Sequence, residues 1–371
     1  LAEIFFISKP VAPPWNDSSK NLVHDLARSL SRHRPRVLSR AGVELALPDG
    51  SVIEPLYPER SGGFSPPLAD NLKVLGRLAL GRRSDLWHFF FAPNPRTSTA
   101  SRALCRSRRV PSVHTVCSAP REGLDLDRVL FADCTVVLSR HTEQRLLDAG
   151  LTAGRVRRIG PAIEPLSPLE DAARGEARAH FELPSDAPVV VYPGDLEFGA
   201  GAERVIGGVA AMERDDVVLV IAARKKTPQA FVAEQALRDE VRSLGLEERT
   251  VWVGETRRIH DLLGASDIVA LPSDDLYAKM DYPLVLLEAM SMERPTVVAE
   301  GTAAAELAEE GGARLVDGDP ERIAAVFGEI LGDEVGRKTL GEAARSHVLT
   351  HHLPAAMARR YEALYDELLD G

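Results

Sequence analysis

The chain has 371 residues, too many for one simple core and enough for two α/β domains. Its composition, 44% hydrophobic and 27% charged, excludes a disordered polymer, and 5% aromatic residues are too few for a broad stacking platform. A formal net charge of −10 excludes a general nucleic-acid binder, while leaving room for a local basic pocket that holds a phosphate.

The chain opens on LAEIFFIS, a short apolar run with an acidic Glu3, which reads as a first strand over Ile4–Ile7 rather than a signal peptide. A proline-rich loop, VAPPWNDSSKN, follows, and then Leu22, Leu26 and Leu30 recur at helical spacing. Residues 36–60 suggest a short strand and a hairpin. The stretch NLKVLGRLALGRRSD mixes Leu72, Leu75, Leu78 and Leu80 with Lys73, Arg77, Arg82 and Arg83, which suits a surface helix or one that lies on an anionic membrane. Further strands are expected at Leu86–Phe91, Ser112–Val116 and Cys134–Leu138, with helices between them; this alternation argues for a parallel sheet. His88, alone in an apolar strand, reads as a hydrogen-bonded core residue. Cys105, Cys117 and Cys134 have neither metal-ligand spacing nor a disulfide pattern, which suits a reducing cytoplasm.

Prolines 165, 168 and 184 punctuate a linker with a short helix over 164–187, so the first domain is expected over 1–163. A second α/β domain is expected over 188–345. Its strands are Val189–Tyr192, Val217–Ala222, Thr250–Val253, Ile268–Leu271, Thr296–Ala299 and Ala313–Leu315, with helices 201–212, 229–244, 257–264, 283–292, 302–309 and 320–331 between them. The last stretch, 346–371, reads as a terminal helix that packs back on the first domain. Two doubly wound sheets of this kind bind ligands outside the carboxyl ends of their strands, and the expected fold is two such domains facing across a cleft.

The sharpest local signal is IHDLLGASDIVALPSDDLYAKMDYPLVLLEAMSMERPTVVAE. A strand ends in a loop with Lys279 and Asp281. Pro283 suits a first helical turn, and Glu288 lies one turn further on. The amides of Leu284 and Val285 at such a helix start suit a diphosphate, and the Glu288 carboxylate suits a ribose diol. Read from the residues alone, Asp281 serves equally well as a helix cap and Glu288 as a surface carboxylate.

With LVLLEAM and its surroundings, the chain resembles the retaining glycosyltransferases of family four, which have the GT-B architecture. The resemblance runs along nearly the whole chain and is strongest over Ile259–Glu300. It implies that Glu288 binds the donor ribose. A loop carboxylate eight positions earlier contacts the transferred sugar in that family; here that position is Met280, and Asp281 beside it is the substitute. The family places two cations after the first strand of the second domain. The corresponding stretch here is VVVYPGDLEFGAGAERVIGG, with Asp195 at the arginine position and the glycine-rich run near Gly199 at the lysine position. Arg224, Lys225 and Lys226, after the next strand, are the replacement cations, Arg224 first and Lys225 next, with Lys279 as another, and Gly194 and Gly199 let backbone approach phosphate. Backbone around Val253 is the expected platform for the base. Glu306 orients a loop or simply sits in its helix.

In the first domain Cys117 stands where the family often carries a histidine, either as a nucleophile or as a pocket-lining thiol. The resemblance thus implies a cytoplasmic, metal-independent, retaining hexosyltransferase. Its site comprises Asp281, Arg224 and Cys117 for the chemistry, and Glu288, Leu284, Val285, Arg224, Lys225, Gly194, Val253 and Lys279 for the donor. The donor is a UDP- or GDP-linked sugar. The acceptor is a sugar, lipid-linked or small-molecule hydroxyl, with contact at the inner face of a membrane as a further expectation. The missing cations keep a second expectation open, a degenerate GT-B binding or partner subunit.

Overall fold

In the computed structural model of the chain, residues 1–59, 67–120, 123–276 and 279–371 are described. They form two compact units. One takes in Leu1–Glu164, Lys279–Asp281 and His352–Gly371, and the other Pro165–Ala278 and Tyr282–His351.

The first unit runs β1 (Glu3–Ile7), α1 (Ser18–Ser29), β2 (Arg34–Arg40), β3 (Val52–Tyr57), α2 (Leu68–Leu80), β4 (Leu86–Phe90), α3 (Pro95–Arg108), β5 (Ser112–Thr115), α4 (Leu126–Val129), β6 (Cys134–Val137), α5 (Arg140–Asp148) and β7 (Val156–Arg158). Its sheet has the order β3-β2-β1-β4-β5-β6-β7, and every pairing is parallel. The hairpin expected within 36–60 is therefore replaced by two parallel strands. The 41–51 segment is long enough to carry the chain back to the sheet edge at which β2 began, which a tight turn cannot do. Position 60 lies outside the described residues.

Strand β1 is buried on both faces, as a parallel strand between two helical layers requires. Phe5 and Ile7 pack with Trp87, Phe89, Val74 and Leu78 beneath α2. Phe6 points the other way and meets His88 edge-on.

The second unit runs α6 (Asp171–His180), β8 (Val189–Tyr192), α7 (Gly201–Ala210), β9 (Val218–Ala222), α8 (Pro228–Ser243), β10 (Thr250–Val253), α9 (Ile259–Ala265), β11 (Ile268–Leu271), α10 (Leu284–Ser291), β12 (Thr296–Ala299), β13 (Arg314–Val316), α11 (Pro320–Gly332) and α12 (Glu334–His351). Its order is β10-β9-β8-β11-β12-β13, again parallel throughout. The stretch expected to be a helix over 302–309 is a 3-10 helix over Ala303–Gly311. Arg178 on α6 is buried and ties the unit's entry to its core. Its guanidinium donates to the carbonyls of Ala265, Pro184, Ser185 and Ala187 and pairs with Asp267 at 2.9 Å.

The terminal stretch read as one helix is two. Helix α12 ends at His351, and α13 (Pro354–Asp370) begins afresh. Pro354 sits in the first turn of α13, where it has no N–H to donate back and so cannot continue α12. Helix α13 belongs to the first unit and packs on α1. Its buried Glu362 accepts from the Ser31 and Arg32 amides just past α1. Tyr365 and Tyr361 reach the sheet: the Tyr365 hydroxyl lies 2.6 Å from His88 Nδ1, Thr115 Oγ1 lies 2.7 Å from His88 Nε2, and the Tyr361 hydroxyl lies 3.0 Å from Thr115 Oγ1. Burial holds His88 well below the usual imidazole range, so it is a neutral, fully bonded core residue.

Replacing Tyr365 by Phe removes one partner from a fully buried imidazole nitrogen. The expected cost is about 1–3 kcal/mol, read as a lower urea midpoint for the first unit, and an unchanged midpoint would contradict the network.

Candidate functional site

In a doubly wound sheet the strand order reverses at one place, and the loops beyond the carboxyl ends of the two strands there leave a crevice. In the second unit those strands are β8 and β11. Three loops leave this edge: 193–200 after β8, 223–227 after β9 and, in its described first part, 272–276 after β11.

The β8 loop is set by packing. A Cβ at Gly194 would lie 2.1 Å from the Tyr192 ring, and the Tyr192 hydroxyl donates to the Asp195 carbonyl at 2.6 Å. Tyrosine therefore occupies the side on which a Cβ would project from Gly194. Gly199 has φ +70, a left-handed value that suits glycine, and faces the backbone of Asp275. The start of α7 is already served by a carboxylate, since Asp274 accepts from the Ala200 amide at 2.9 Å. That bond, with Arg204 nearby, holds the Asp274 carboxyl below its ordinary range.

The cations after β9 divide sharply. Lys226 pairs with the buried Asp195 at 2.8 Å, and Lys225 pairs with Glu234 while lying over the Phe231 ring. Lys225 is thus paired with a carboxylate of α8. Arg224 is half-buried and has no hydrogen bond or ion pair among the described residues.

Helix α10 starts at Leu284 with Pro283 as its cap residue, and no side chain caps it. The amides of Leu284 and Val285 find no acceptor among the described residues. One turn on, Glu288 is mostly buried and faces His260 of α9, with Oε2 3.5 Å from Nε2. Glu288 raises the His260 pKa above the usual imidazole value. The Tyr282 hydroxyl donates to Glu306, which places Glu306 as a brace for the turn into α10. The Val253 carbonyl accepts from the Ala223 amide at 3.1 Å, so the surface open at this edge is Gly254 and Glu255, both exposed.

The remaining expected site residues lie in the first unit. Asp281 is buried and does not cap α10; its Oδ2 accepts from Ser139 Oγ at 2.6 Å, and the same Oγ accepts from the Thr142 amide to cap α5. The carbonyl of Lys279 accepts from Ser118 Oγ at 2.7 Å. Cys117 is buried, and burial, with Asp17 and Asp281 nearby, pushes its thiol up to about 12. A protonated thiol is a poor nucleophile. Close by, Asp17 caps α1 and pairs with Lys9 at 3.0 Å. Burial would raise the Asp17 carboxyl, but Lys9, the Ser19 hydroxyl and the Lys20 amide bring it down to about 2.

Sequence reasoning missed His260 and Asp274. Ser139, a serine directly after a strand and before a helix, is legible as the cap of α5, but not as the partner of Asp281. His260 and Asp274 act on partners 28 and 74 positions away, and no local pattern marks them.

Because the folded state raises the His260 pKa, its pair with Glu288 stabilises fully below the free imidazole value and fades as pH rises through the raised one. His260→Ala therefore lowers the melting temperature near pH ~5.5 and has little effect near pH ~8.5. Equal changes at both ends of a pH series of melting curves would rule the pair out.

Residues 187–333 match the profile of the family described as Glycosyl transferases group 1. Among curated proteins, the chain is 27% identical over 228 residues to the D-inositol 3-phosphate glycosyltransferase of Xylanimonas cellulosilytica, covering 59% of this chain and 53% of that one. It is 30% identical over 252 residues to the protein of the same name from Corynebacterium jeikeium, covering 64% and 58%. The chain thus spans little more than half the length of these relatives. Among solved structures, HepE of Anabaena in complex with UDP and glucose superposes with a TM-score of 0.78 at 16% identity, over 99% of this chain and 100% of that one. Sucrose-phosphate synthase of Thermosynechococcus elongatus gives 0.78 at 19% identity over 100% of both. This likeness is one of fold: two parallel-sheet α/β domains of the GT-B architecture.

Proposed function

We propose that the chain transfers a glycosyl group from a nucleotide-sugar donor to an acceptor hydroxyl, with retention of anomeric configuration. The observation that carries the reading is the start of α10, where the unbonded amides of Leu284 and Val285 are followed by the mostly buried carboxylate of Glu288. Unbonded amides at a helix start favour an anion, and a carboxylate one turn on suits vicinal hydroxyls, so together they fit the diphosphate and ribose of one nucleotide. The match of 187–333 to a glycosyltransferase family supports the same placement. HepE was crystallised with UDP, which favours a uridine donor over a guanosine one.

In this reading the bond between the anomeric carbon and the diphosphate oxygen breaks, the acceptor oxygen joins that carbon, and the acceptor proton passes to the departing phosphate. Negative charge grows on the diphosphate, and we assign Arg224 to meet it, as the cation after β9 that no carboxylate takes up among the described residues. Its planar fork grips two oxygens at once, which offsets having a single cation. Asp281, oriented by Ser139, holds a hydroxyl of the transferred sugar. The acceptor is a small polar molecule or lipid-linked sugar bound by the first unit. The curated relatives are named for D-inositol 3-phosphate, so a phosphorylated polyol heads the acceptor panel.

A second reading, a nucleotide-binding subunit without transferase activity, is favoured by one feature: Asp195 stands where the resemblance expects arginine, and it neutralises Lys226. Calorimetry and turnover separate the two. Glu288→Ala should weaken both UDP and uridine by about 10-fold or more, whereas Arg224→Ala should weaken UDP by a similar factor and leave uridine unchanged. Binding of UDP that ignores Glu288→Ala would remove the donor assignment. UDP bound as expected, with no UDP released from UDP-sugars across an acceptor panel, would select the second reading.

A further inference from the structure

Helix α2 carries an apolar stripe beyond the one it buries. Val74 and Leu78 face the core, while Leu68, Leu72, Leu75 and Ala79 recur at i, i+4, i+7 and i+11, about 110° round the helix from them. Leu68 and Leu72 are 74% and 57% exposed, and Leu80 at the helix end is 89% exposed. Leu75 and Ala79 are half-buried, whereas Leu68, Leu72 and Leu80 stand out from the core.

Its surroundings are strongly basic. Between positions 67 and 109 the chain carries nine Arg or Lys against two Asp, in a molecule whose net charge is −10. The end of α2 and the end of α3 are tied together: Arg83 donates to the Arg109 carbonyl, and Arg108 donates to the Gly81 carbonyl at 2.7 Å. Arg82, Arg83, Arg106 and Arg109 are all exposed there, beside Leu80. The nearer acids are engaged, with Asp70 buried against Lys73 and Asp85 accepting from the Glu3 amide.

We propose that this face docks on an anionic lipid surface, with the α2 leucines entering the interface and the arginines meeting the headgroups. A single convex helix ridge offers a protein partner little to enclose, but a fluid interface moulds itself around it. The absence of aromatic side chains along the stripe argues against stacked bases. The charge contrast orients the molecule, because this region is attracted to a negative surface while the acidic remainder is repelled. No helix among the described residues is long and apolar enough to cross a membrane, so the contact is a peripheral one.

Flotation of the whole chain with vesicles tests this. Binding should be strong with vesicles of phosphatidylcholine containing about 30% phosphatidylglycerol, and weak with phosphatidylcholine alone. It should fall steeply as salt is raised from about 50 to 500 mM. Leu72→Glu with Leu80→Glu should cut the bound fraction about 10-fold, as should Arg82→Glu with Arg106→Glu. All four positions are exposed, and matching melting curves will show that the variants fold. Absence of wild-type binding to the anionic vesicles at low salt would overturn the proposal. So would binding that responds to the arginine changes but not to the leucine changes, since the face would then be a general anion surface.

Discussion

Every α-helix begins with amides that its own turns cannot satisfy, and in a parallel α/β sheet these beginnings gather at one edge. How each start is closed decides where this chain can hold an anion. Asp17 closes α1, Ser139 closes α5, and Asp319 closes α11. At the reversal point of the second sheet two helices begin, α7 after β8 and α10 after β11. Asp274 takes the Ala200 amide at the first, and the second keeps its amides unbonded. A phosphate at α7 would have to displace a carboxylate held low by that very bond. At α10 the amides of Leu284 and Val285 have no acceptor among the described residues.

The same accounting sorts the side chains. Three consecutive cations follow β9, and each could in principle serve a phosphate. Lys226 is consumed by Asp195 and Lys225 by Glu234, so the segment as a whole is far less positive than its composition suggests. Glu288 is a parallel case among the acids: His260 balances it from the exposed side and leaves it half-compensated. A carboxylate partnered by an imidazole at 3.5 Å, rather than by a guanidinium fork, retains acceptor capacity for hydroxyl groups.

What could be read from the chain was what short-range chemistry decides. The apolar strands of both sheets, the loop–helix passage around Pro283 and the position of Glu288 on α10 all follow from periodicity and capping within about ten residues. The parallel register of β2 and β3 did not, because the 41–51 connection has no periodicity to show which way it turns. The break before α13 rested on Pro354, a single residue inside a stretch that otherwise reads as helical. Long-range pairs were invisible for a plainer reason. Ser139 to Asp281 spans 142 positions and Ala200 to Asp274 spans 74, so no local window contains both partners. That is why Asp281 could be singled out as important while its bonding to Ser139 went unseen.

The exchange at Asp195 is best understood as a pair and not as a lost cation. A carboxylate buried to this degree without a partner would cost several kcal/mol, and removing Lys226 alone would leave just that. The two residues therefore come as a unit, joining the loops after β8 and β9, and Thr227 bonding Glu197 repeats the connection beside them. Such bracing fixes the β9 loop from which Arg224 projects. In the proposed reaction this edge offers one guanidinium, and what the Lys226–Asp195 and Thr227–Glu197 contacts hold in place is the backbone of the loop that carries it.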